Sequence, residues 1–424
     1  MWRELPLSDL AEITSGGTPS RDVAEYWGGD IPWVTPTDIT ACRTNSLSDT
    51  VDRITKRGLL NSAAKVLPVG TILFTSRATV GVSRIAVVPV STNQGFKSLT
   101  ALSNVDNRFL FYQVQRLRGA FERYAAGSTF PEINKKDTAR VLIPHPVSRF
   151  EQRKIAAILT SLDTAIEKTE ALIAKYQQIK AGLMHDLFTH GVLPDGSLRP
   201  PREQAPELYQ ETATGWIPKE WTTASLKNIC LNIIDCPHST PTFAPSGILV
   251  ARTMHIKDGI FLEEAASRVS EQDFNERNAR SVPTSGDVIL TREAPVGEAF
   301  VIPNGMRICL GQRVMLIKPN PTLLDANYLV AQIYSGSLSA RISDLTAGTT
   351  NPHLNVADVR TLSIELPHLP EQKLMTMKIK GINEHIQIEK RTMQKLQYQK
   401  LGLMQDLLTG KVPVKVEAKE AELA

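Results

Sequence analysis

The side chains best suited to chemistry are basic and amide groups that fall in turn-rich segments of the sequence. Arginine and lysine can bind phosphates or a guanine edge, and asparagine and glutamine can pair with adenine. Any single one could equally be a solvated surface residue, so only the whole set indicates binding to a nucleic acid. The candidate contacts to a nucleic acid are Thr35, Thr37, Arg77, Arg84, Asn93, Gln94, Lys97, Lys135, Lys136, Arg252, His255, Lys257, Arg292, Gln312 and Arg313.

Common catalytic motifs are missing from the sequence. It has no phosphate-binding G-x-x-x-x-G-K-[ST] loop, no G-x-G-x-x-G fingerprint and no G-x-S-x-G nucleophile elbow. The segment Asn351-Pro-His-Leu354 is similar to the Asn-Pro-Pro-aromatic motif of adenine methyltransferases, but no cofactor-binding glycine loop accompanies it. A turn before a strand explains this segment better. We therefore expect no catalytic residues on this chain.

A metal site is also not expected. Cys230, Cys236 and His238 are close together, but their spacing fits no common zinc pattern. The four cysteines are sparse and predict no disulfide framework. We expect neither a metal ion nor a cofactor on this chain.

Length and composition indicate a globular protein of several domains. The chain has 424 residues, 42% hydrophobic and 22% charged, which predicts two to four domains. A net charge of +4 permits a nucleic-acid partner without requiring one, because binding depends on local basic surface. No apolar run approaches the ~20 residues that span a bilayer, and the N-terminus has no signal-peptide pattern. We expect a cytoplasmic protein.

An internal repeat with a period near 220 residues organises the whole chain. Lys180-Ala-Gly-Leu-Met-His-Asp-Leu-Phe-Thr189 matches Lys400-Leu-Gly-Leu-Met-Gln-Asp-Leu-Leu-Thr409 at seven of ten positions. Glu151-Gln152 matches Glu371-Gln372 at the same offset, and residues 126–134 match 347–355. The earlier part of each copy matches more loosely. The sequence therefore predicts one structural unit present twice, with different surface residues in each copy.

Each copy begins with a mixed α and β domain, at residues 1–150 and 222–370. Short β-branched runs broken by glycine, proline and asparagine predict strands with turns. Ile31–Thr35 and Val314–Lys318 are examples, and helices are predicted near 107–124 and 326–343. The fold class is α+β.

A long helix closes each copy, at residues 151–189 and 371–409. Apolar side chains recur every seven residues in both, which is typical of a coiled coil, whereas a lone amphipathic helix is the simpler alternative. The residues predicted to pack are Ile155, Leu159, Leu162, Ile166, Ile173, Tyr176 and Leu183 in the first helix, and Met375, Ile379, Ile382, Ile386, Met393, Leu396 and Leu403 in the second. A polar, proline-rich connector is predicted at 190–221 and a charged tail at 410–424.

Taken together, these features resemble the specificity subunits of type I restriction-modification systems. The resemblance rests on the repeat, the segment Gly215-Trp-Ile-Pro-Lys-Glu-Trp221, the Glu-Gln start of each long helix and the closing Gly-Leu-Met-x-Asp-Leu-x-Thr. It covers essentially the whole chain. One departure is that the first copy begins at Met1-Trp2 and lacks the Pro-Lys-Glu that precedes Trp221.

The resemblance implies a non-catalytic DNA-recognition subunit. Each copy would hold a target recognition domain for one half of a bipartite double-stranded DNA sequence, and the two helices would pack as an antiparallel coiled coil with pseudo-twofold symmetry. Two modification subunits, which bind S-adenosylmethionine and methylate adenine, would dock on it. A restriction subunit that uses ATP and Mg could join them. The alternative is a coiled-coil scaffold that binds proteins and not DNA.

Overall fold

The computed structural model describes residues 2–125, 131–347 and 352–414. The chain forms two compact units, one of residues 1–173 with 389–424 and the other of residues 174–388. Each unit therefore combines one copy of the mixed domain with segments of both long helices. The boundaries of the two units therefore differ from the boundaries of the two copies of the sequence repeat.

The first unit contains a mixed domain followed by the first long helix. Its strands are β1 (Trp2–Pro6), β2 (Ala11–Ser15), β3 (Trp27–Val34), β4 (Ser46–Leu47), β5 (Asp52–Ile54), β6 (Ile72–Phe74), β7 (Ser83–Ala86), β8 (Ser91–Thr92), β9 (Lys97–Ala101) and β10 (Leu142–Pro146). Its helices are α1 (Pro36–Ala41), α2 (Lys56–Leu60), α3 (Asn107–Arg116), α4 (Arg118–Tyr124) and α5 (Lys135–Arg140), and α6 (Arg149–His190) continues into the second unit.

The second unit repeats this arrangement after a short hairpin. Its strands are β11 (Tyr209–Thr212), β12 (Gly215–Pro218), β13 (Thr222–Ser225), β14 (Cys230–Asp235), β15 (Ile248–Ala251), β16 (Ile256–Lys257), β17 (Ile260–Phe261), β18 (Arg268–Val269), β19 (Val288–Arg292), β20 (Val296–Val301), β21 (Ile308–Leu310), β22 (Val314–Pro319) and β23 (Ser363–Leu366). Its helices are α7 (Leu226–Ile229), α8 (Glu271–Arg277), α9 (Ala326–Ile333), α10 (Gly336–Thr346), α11 (Val356–Thr361) and α12 (Leu369–Leu407), the last continuing into the first unit.

The sheets of the two domains are related, with five strands in the main sheet of the first domain and four in that of the second. The main sheet has the order β2-β9-β6-β7-β4 in the first domain and β14-β22-β19-β20 in the second. A smaller sheet has the order β5-β3-β8 or β18-β15-β21, and in both its last pair is parallel. Strands β1 and β10, or β13 and β23, close each domain. The expected mixed fold with two repeated domains, each followed by a long helix, is confirmed.

The ends of the long helices belong to the cores of the domains. In the first unit Ile155 and Leu159 near the start of α6 are buried together with Leu407 and Leu408 at the end of α12. In the second unit Leu187 near the end of α6 is buried with Met375 near the start of α12. Burying apolar surface in this way ties each helix end to a domain.

A repeated glutamine orients the start of each long helix. The side-chain oxygen of Gln152 accepts a hydrogen bond from the Asp106 amide at 2.8 Å, and that of Gln372 accepts one from the Asp325 amide at 2.8 Å. Both aspartates in turn cap a helix, α3 or α9, through their side chains. The Glu-Gln pair seen twice in the sequence thus joins the long helix to the domain that precedes it.

The seven-residue pattern follows the packed faces of α6 and α12. All the residues predicted to pack on these helices are buried or half-buried. In the first unit Lys400 forms an ion pair with Asp163 at 2.5 Å, and in the second Tyr176 stacks on His385 with ring centroids 5.6 Å apart. The helices are about 63 and 58 Å long, from 42 and 39 residues.

The connector is more ordered than its composition suggests. It forms the β11–β12 hairpin, and Arg199 is buried in contact with Glu371 and Glu220. Within the described residues no helix is long and apolar enough to cross a membrane.

Candidate nucleic-acid interface

Four segments distant in sequence converge at one edge of the first domain. The Ser76 amide donates to the Gly95 carbonyl at 2.8 Å, the Ile133 amide to the Ser76 carbonyl at 2.9 Å, and the Asn93 amide to the Val34 carbonyl at 3.1 Å. Three of the segments leave or enter a strand at this edge, and the fourth, 131–137, leads into α5. We call residues 35–38, 76–79, 93–97 and 131–137 loop surface 1.

The second domain builds the same surface from corresponding segments. The Arg292 amide donates to the Arg313 carbonyl at 2.9 Å, the Leu354 amide to the Arg292 carbonyl at 3.0 Å, and the Gly311 amide to the Ala251 carbonyl at 2.9 Å. We call residues 235–238, 252–255, 292–295, 311–315 and 352–355 loop surface 2. Equivalent backbone bonds with different side chains are what two recognition sites on one scaffold require.

Both loop surfaces contain an alanine in the left-handed region. Ala78 has φ +62° and Ala294 has φ +40°, at equivalent positions after β6 and β19. A non-glycine residue rarely adopts this conformation, and such strain persists where the surrounding structure enforces it, often at functional sites. Its presence in both copies indicates a conformation that both surfaces need.

Loop surface 1 carries an exposed ion pair above a buried lysine. The Arg77 guanidinium donates to one oxygen of Glu132 from Nε at 3.1 Å and from Nη2 at 2.8 Å. Lys97 is 7% exposed, and its Nζ lies 3.3 Å from the Ser76 hydroxyl. Burial lowers the pKa of Lys97, which the negative charge of Glu132 opposes and the positive charge of Arg77 reinforces.

Loop surface 2 carries a longer chain of charged groups. Buried Arg292 bonds Asp235, and it donates to His353 Nε2 at 2.6 Å. Because arginine can only donate, His353 Nε2 is the acceptor and its Nδ1–H donates to Glu293 at 2.6 Å. The other oxygen of Glu293 lies 3.1 Å from Nε of Arg313, which is exposed. This chain runs from the domain interior to its surface.

The structure brings many of the sequence-predicted residues onto these two surfaces. On the first, Thr37, Gln94, Lys135 and Lys136 are exposed beside Arg77, and half-buried Asn93 accepts from the Gly95 amide at 2.9 Å. Half-buried Thr35 lies at the same edge, where it caps α1 and bonds Asp38.

Loop surface 2 carries fewer of them. Half-buried Arg252 lies over the Phe243 ring at 5.3 Å, and Gln312 donates to the His238 carbonyl at 2.9 Å near exposed Arg313.

Three predicted contacts are buried and need correction. His255 is 2% exposed, Arg292 is 5% exposed, and Lys97 is also buried, so their charged or polar groups face the protein interior and not a duplex. Burial together with Arg252 lowers the pKa of His255, although its bond to the Val250 carbonyl acts in the opposite direction. These three residues support the surfaces from below.

Two further predicted contacts lie away from the loop surfaces. Arg84 is on β7 and donates to the Cys42 carbonyl at 2.8 Å. Lys257 is on the β16–β17 hairpin. Neither belongs to the converging segments.

Sequence reasoning missed the acidic and histidine partners, Glu132, Asp235, Glu293 and His353. A usable signal existed in the repeat itself. When the two copies are aligned by their strand pairing, Arg77 corresponds to Glu293 and Glu132 corresponds to His353. An arginine in one copy stands opposite a glutamate in the other, and a glutamate stands opposite a histidine, so the exchange at two linked positions indicates a pair.

Reactive thiols and metal clusters are not found in the described part of the chain. Within residues 2–125, 131–347 and 352–414 no group of three or more histidine, cysteine or acidic residues could hold a metal ion. All four cysteines are free, and burial raises the pKa of Cys230 to about 12 and that of Cys309 to about 11. Asn351, part of the methyltransferase-like segment, lies outside the described residues.

Comparison with known proteins identifies the repeated domain. Residues 1–178 and 218–398 both match the family described as type I restriction modification DNA specificity domain. The chain is 28% identical to the MjaIX specificity subunit of Methanocaldococcus jannaschii, over 87% of this chain and 84% of that protein. It is 28% identical to the EcoR124I/EcoR124II specificity subunit of Escherichia coli over 38% of this chain and 41% of that one.

Solved structures share the fold. The S subunit of a type I restriction-modification system from M. genitalium superposes with a TM-score of 0.61 at 13% identity, covering 98% of this chain and 97% of that chain. A chain from a study of complex assembly and conformational transition of the type I R-M system gives a TM-score of 0.55 at 18% identity, covering 97% and 98%. With the family match spanning both copies, this chain belongs to the family of type I restriction-modification DNA specificity subunits.

Proposed function

We propose that this chain is the DNA-recognition subunit of a type I restriction-modification enzyme and that each loop surface reads one half of a bipartite target. One observation carries the proposal: the same surface is built twice, on equivalent backbone bonds, with different side chains. A protein that reads two different half-sites needs a common scaffold and unlike contact residues. The residues just described meet both needs.

The side chains on the loop surfaces suit a DNA duplex. Lys135 and Lys136 are exposed cations that can bind phosphates and set the register of the domain on the duplex. Arg77, Arg313 and Gln94 are exposed or have free polar groups that can pair with base edges in the major groove. Phosphate contacts give affinity and base contacts give specificity.

The long helices would hold the two recognition domains as an antiparallel coiled coil. Asp163 on α6 contacts Lys400 late in α12, and Tyr176, farther along α6, contacts His385 earlier in α12. This order of contacts is that of antiparallel helices, and the packed faces follow a seven-residue period. The helices would then fix the number of unread base pairs between the half-sites.

The chemistry would be supplied by other subunits. We propose that two modification subunits, which would bind S-adenosylmethionine and methylate adenine, dock on this chain, and that a restriction subunit using ATP and Mg could join them. On this proposal the chain itself is non-catalytic and acts in the cytoplasm. Its recognition domains would be residues 1–150 and 222–370, its spacer helices 151–189 and 371–409, its connector 190–221 and its tail 410–424.

Salt dependence of DNA binding tests this function against the scaffold alternative. The complex of this chain with its modification subunits should bind duplex DNA, and log K should fall linearly with log salt concentration because binding releases counterions from the phosphates. The modification subunits alone should bind more weakly and with a shallower slope. If the chain were only a scaffold, it would raise neither the DNA affinity of the modification subunits nor the dependence of that affinity on salt. That result would reject the proposal.

A further inference from the structure

We propose that each loop surface holds one arginine that reads a guanine, Arg77 in the first domain and Arg313 in the second, and that a carboxylate orients each one. This inference rests on the proposed function and adds to it the residues that determine specificity. Arginine is suited to the task because its planar fork of N–H donors matches the O6 and N7 acceptors of guanine in the major groove.

Arg313 has the geometry of an oriented reading group. Glu293 Oε2 lies 3.1 Å from its Nε, an ion pair that holds the guanidinium beside the carboxylate. Among the residues that the structure describes, neither terminal amino group of Arg313 has a partner. Its side chain is 57% exposed. The two free amino groups can therefore donate side by side to a base edge, and the carboxylate reduces the side-chain freedom lost on binding.

Arg77 is oriented in a similar way from another segment. Both its Nε and its Nη2 donate to one oxygen of Glu132, and its side chain is 50% exposed. Its Nη1, and the second hydrogen of Nη2, have no partner in the described part of the chain. One hydrogen of Nη1 and the free hydrogen of Nη2 form the terminal edge of the guanidinium, which is not the edge bonded to the carboxylate.

A buried cation lies beneath each pair, at a different position in each copy. In the first domain Lys97 at the start of β9 is close enough to Glu132 for the carboxylate charge to act on its pKa. In the second domain Arg292 at the end of β19 binds His353, which in turn binds Glu293. Each carboxylate therefore lies between an exposed arginine and a buried cation, which in the second domain it reaches through His353.

The exposed arginine, the carboxylate and the buried cation come from different segments in the two domains. The reading arginine follows β6 in the first domain, whereas in the second it precedes β22. The carboxylate lies in the 131–137 segment of loop surface 1 and in the 292–295 segment of loop surface 2. Because the two arginines lie on different segments, they would contact base pairs at different positions of their half-sites. We therefore expect the guanine to stand at different positions in the two halves of the target.

Selection of bound duplexes from a random DNA library tests this inference. The complex with modification subunits would be used as wild type and with Arg77→Gln, Arg313→Gln, Glu132→Gln or Glu293→Gln. Matched controls are Arg57→Gln and Arg307→Gln. Arg57 pairs with Glu25 and Arg307 with Glu271, and both are exposed. They follow β5 or precede β21, at the strand ends away from the loop surfaces.

We expect Arg77→Gln to remove the preference for one G·C pair in one half-site, by about tenfold or more, and to leave the other half-site unchanged. Arg313→Gln should do the same in the other half-site. The glutamate variants should weaken the preference at the same positions by a smaller factor, and the controls should select the wild-type sequence. Arg77→Lys keeps the charge without the fork, so it should lose the preference while overall affinity is largely kept.

Two results would overturn the inference, and they can be told apart from failure of the proposed function. If Arg77→Gln and Arg313→Gln lower affinity evenly and select the wild-type sequence, the arginines bind phosphates and the inference is wrong. The same holds if the lysine variant retains the full preference. If the wild-type complex selects no sequence at all, the proposed function itself fails. Co-purification of each variant with modification subunits verifies that it is folded.

Discussion

Buried charges in this protein are compensated by residues far away in the sequence. Arg199 in the connector is 4% exposed and bonds Glu371 at the start of α12, together with Glu220 at 2.6 Å. Burial acts to lower the pKa of the Arg199 guanidinium, but the bonds to Glu371 and Glu220 outweigh it and raise the pKa. Because Glu371 is itself 8% exposed, neither charge can exchange its partner for water.

Replacement of Glu371 should therefore destabilise the second unit. Glu371→Ala leaves the Arg199 charge buried without its main partner, and we expect the free energy of unfolding to fall by about 3–5 kcal/mol. Glu220→Ala is the matched control, because the Glu220 side chain is 64% exposed and Glu371 still compensates Arg199, so we expect a smaller loss. Urea unfolding of the full chain measures both. Equal losses of unfolding free energy in the two variants would show that Glu371 stabilises the chain no more than Glu220 does.

The buried His255 should make stability depend on pH. Burial lowers its pKa in the folded chain, so on acidification the unfolded chain takes up the proton first. The free energy of unfolding should therefore fall as the pH drops from 7 through the ordinary histidine pKa of about 6.5. His255→Gln should make this dependence shallower, as measured by thermal unfolding between pH 7.5 and 5, values chosen to bracket the ordinary pKa.

His238 provides the control for this measurement. Its side chain is 76% exposed, so His238→Gln removes a histidine without removing a buried group. If the His255 and His238 variants have the same slope, burial of His255 does not produce the effect.

Residue types in the candidate site could be predicted from the sequence, but their partners could not. Arginine, lysine and amide side chains in turn-rich segments indicated Arg77, Gln94 and Arg313 correctly as loop-surface residues. Arg292 looks the same in sequence, yet it is buried because Asp235 and His353 compensate its charge. These partners are 57 and 61 positions away, and no local pattern specifies such pairs.

At the scale of elements, periodicity predicted the long helices but did not predict the structure of the connector. A seven-residue apolar repeat without proline indicates a helix whatever surrounds it, and both helices form. The connector has many prolines and no periodicity, but it forms a hairpin and buries Arg199. Its order comes from tertiary contacts with α12, those of Arg199 and Val192 with Glu371, which a local reading of the sequence does not contain.

Shortening both spacer helices by one heptad should shorten the unread spacer of the target. Residues 171–177 correspond to residues 384–390 when the register of the Tyr176–His385 contact is extended along the sequence, so deleting both would preserve this register. Each helix loses about 10 Å, the length of about three base pairs. Selection from random DNA should then recover the same half-sites with a shorter spacer.

The control for this experiment deletes residues 171–177 alone. That change shifts one helix against the other by a heptad and should destabilise the chain, because packed residues lose their partners. An unchanged spacer in the double deletion, with both half-sites kept, would show that the helices do not set the spacing.

At the scale of the whole molecule, the repeat in sequence and the compact units differ. Two copies follow one another along the chain, but each unit takes in segments of both long helices. The period near 220 residues predicted the duplication of the domains and their common fold. The composition of the units could not be predicted, because it depends on contacts such as Lys400 with Asp163, more than two hundred positions apart.

The central claim is that this chain alone decides where the enzyme acts, through two unlike recognition domains. The most direct test is to sequence N6-methyladenine in cells that carry the modification subunit, with and without this chain. We expect methylation at one motif of two different half-sites separated by a spacer of fixed length, and none without the chain. A motif that persists without the chain, or one with a single undivided site, would contradict the account.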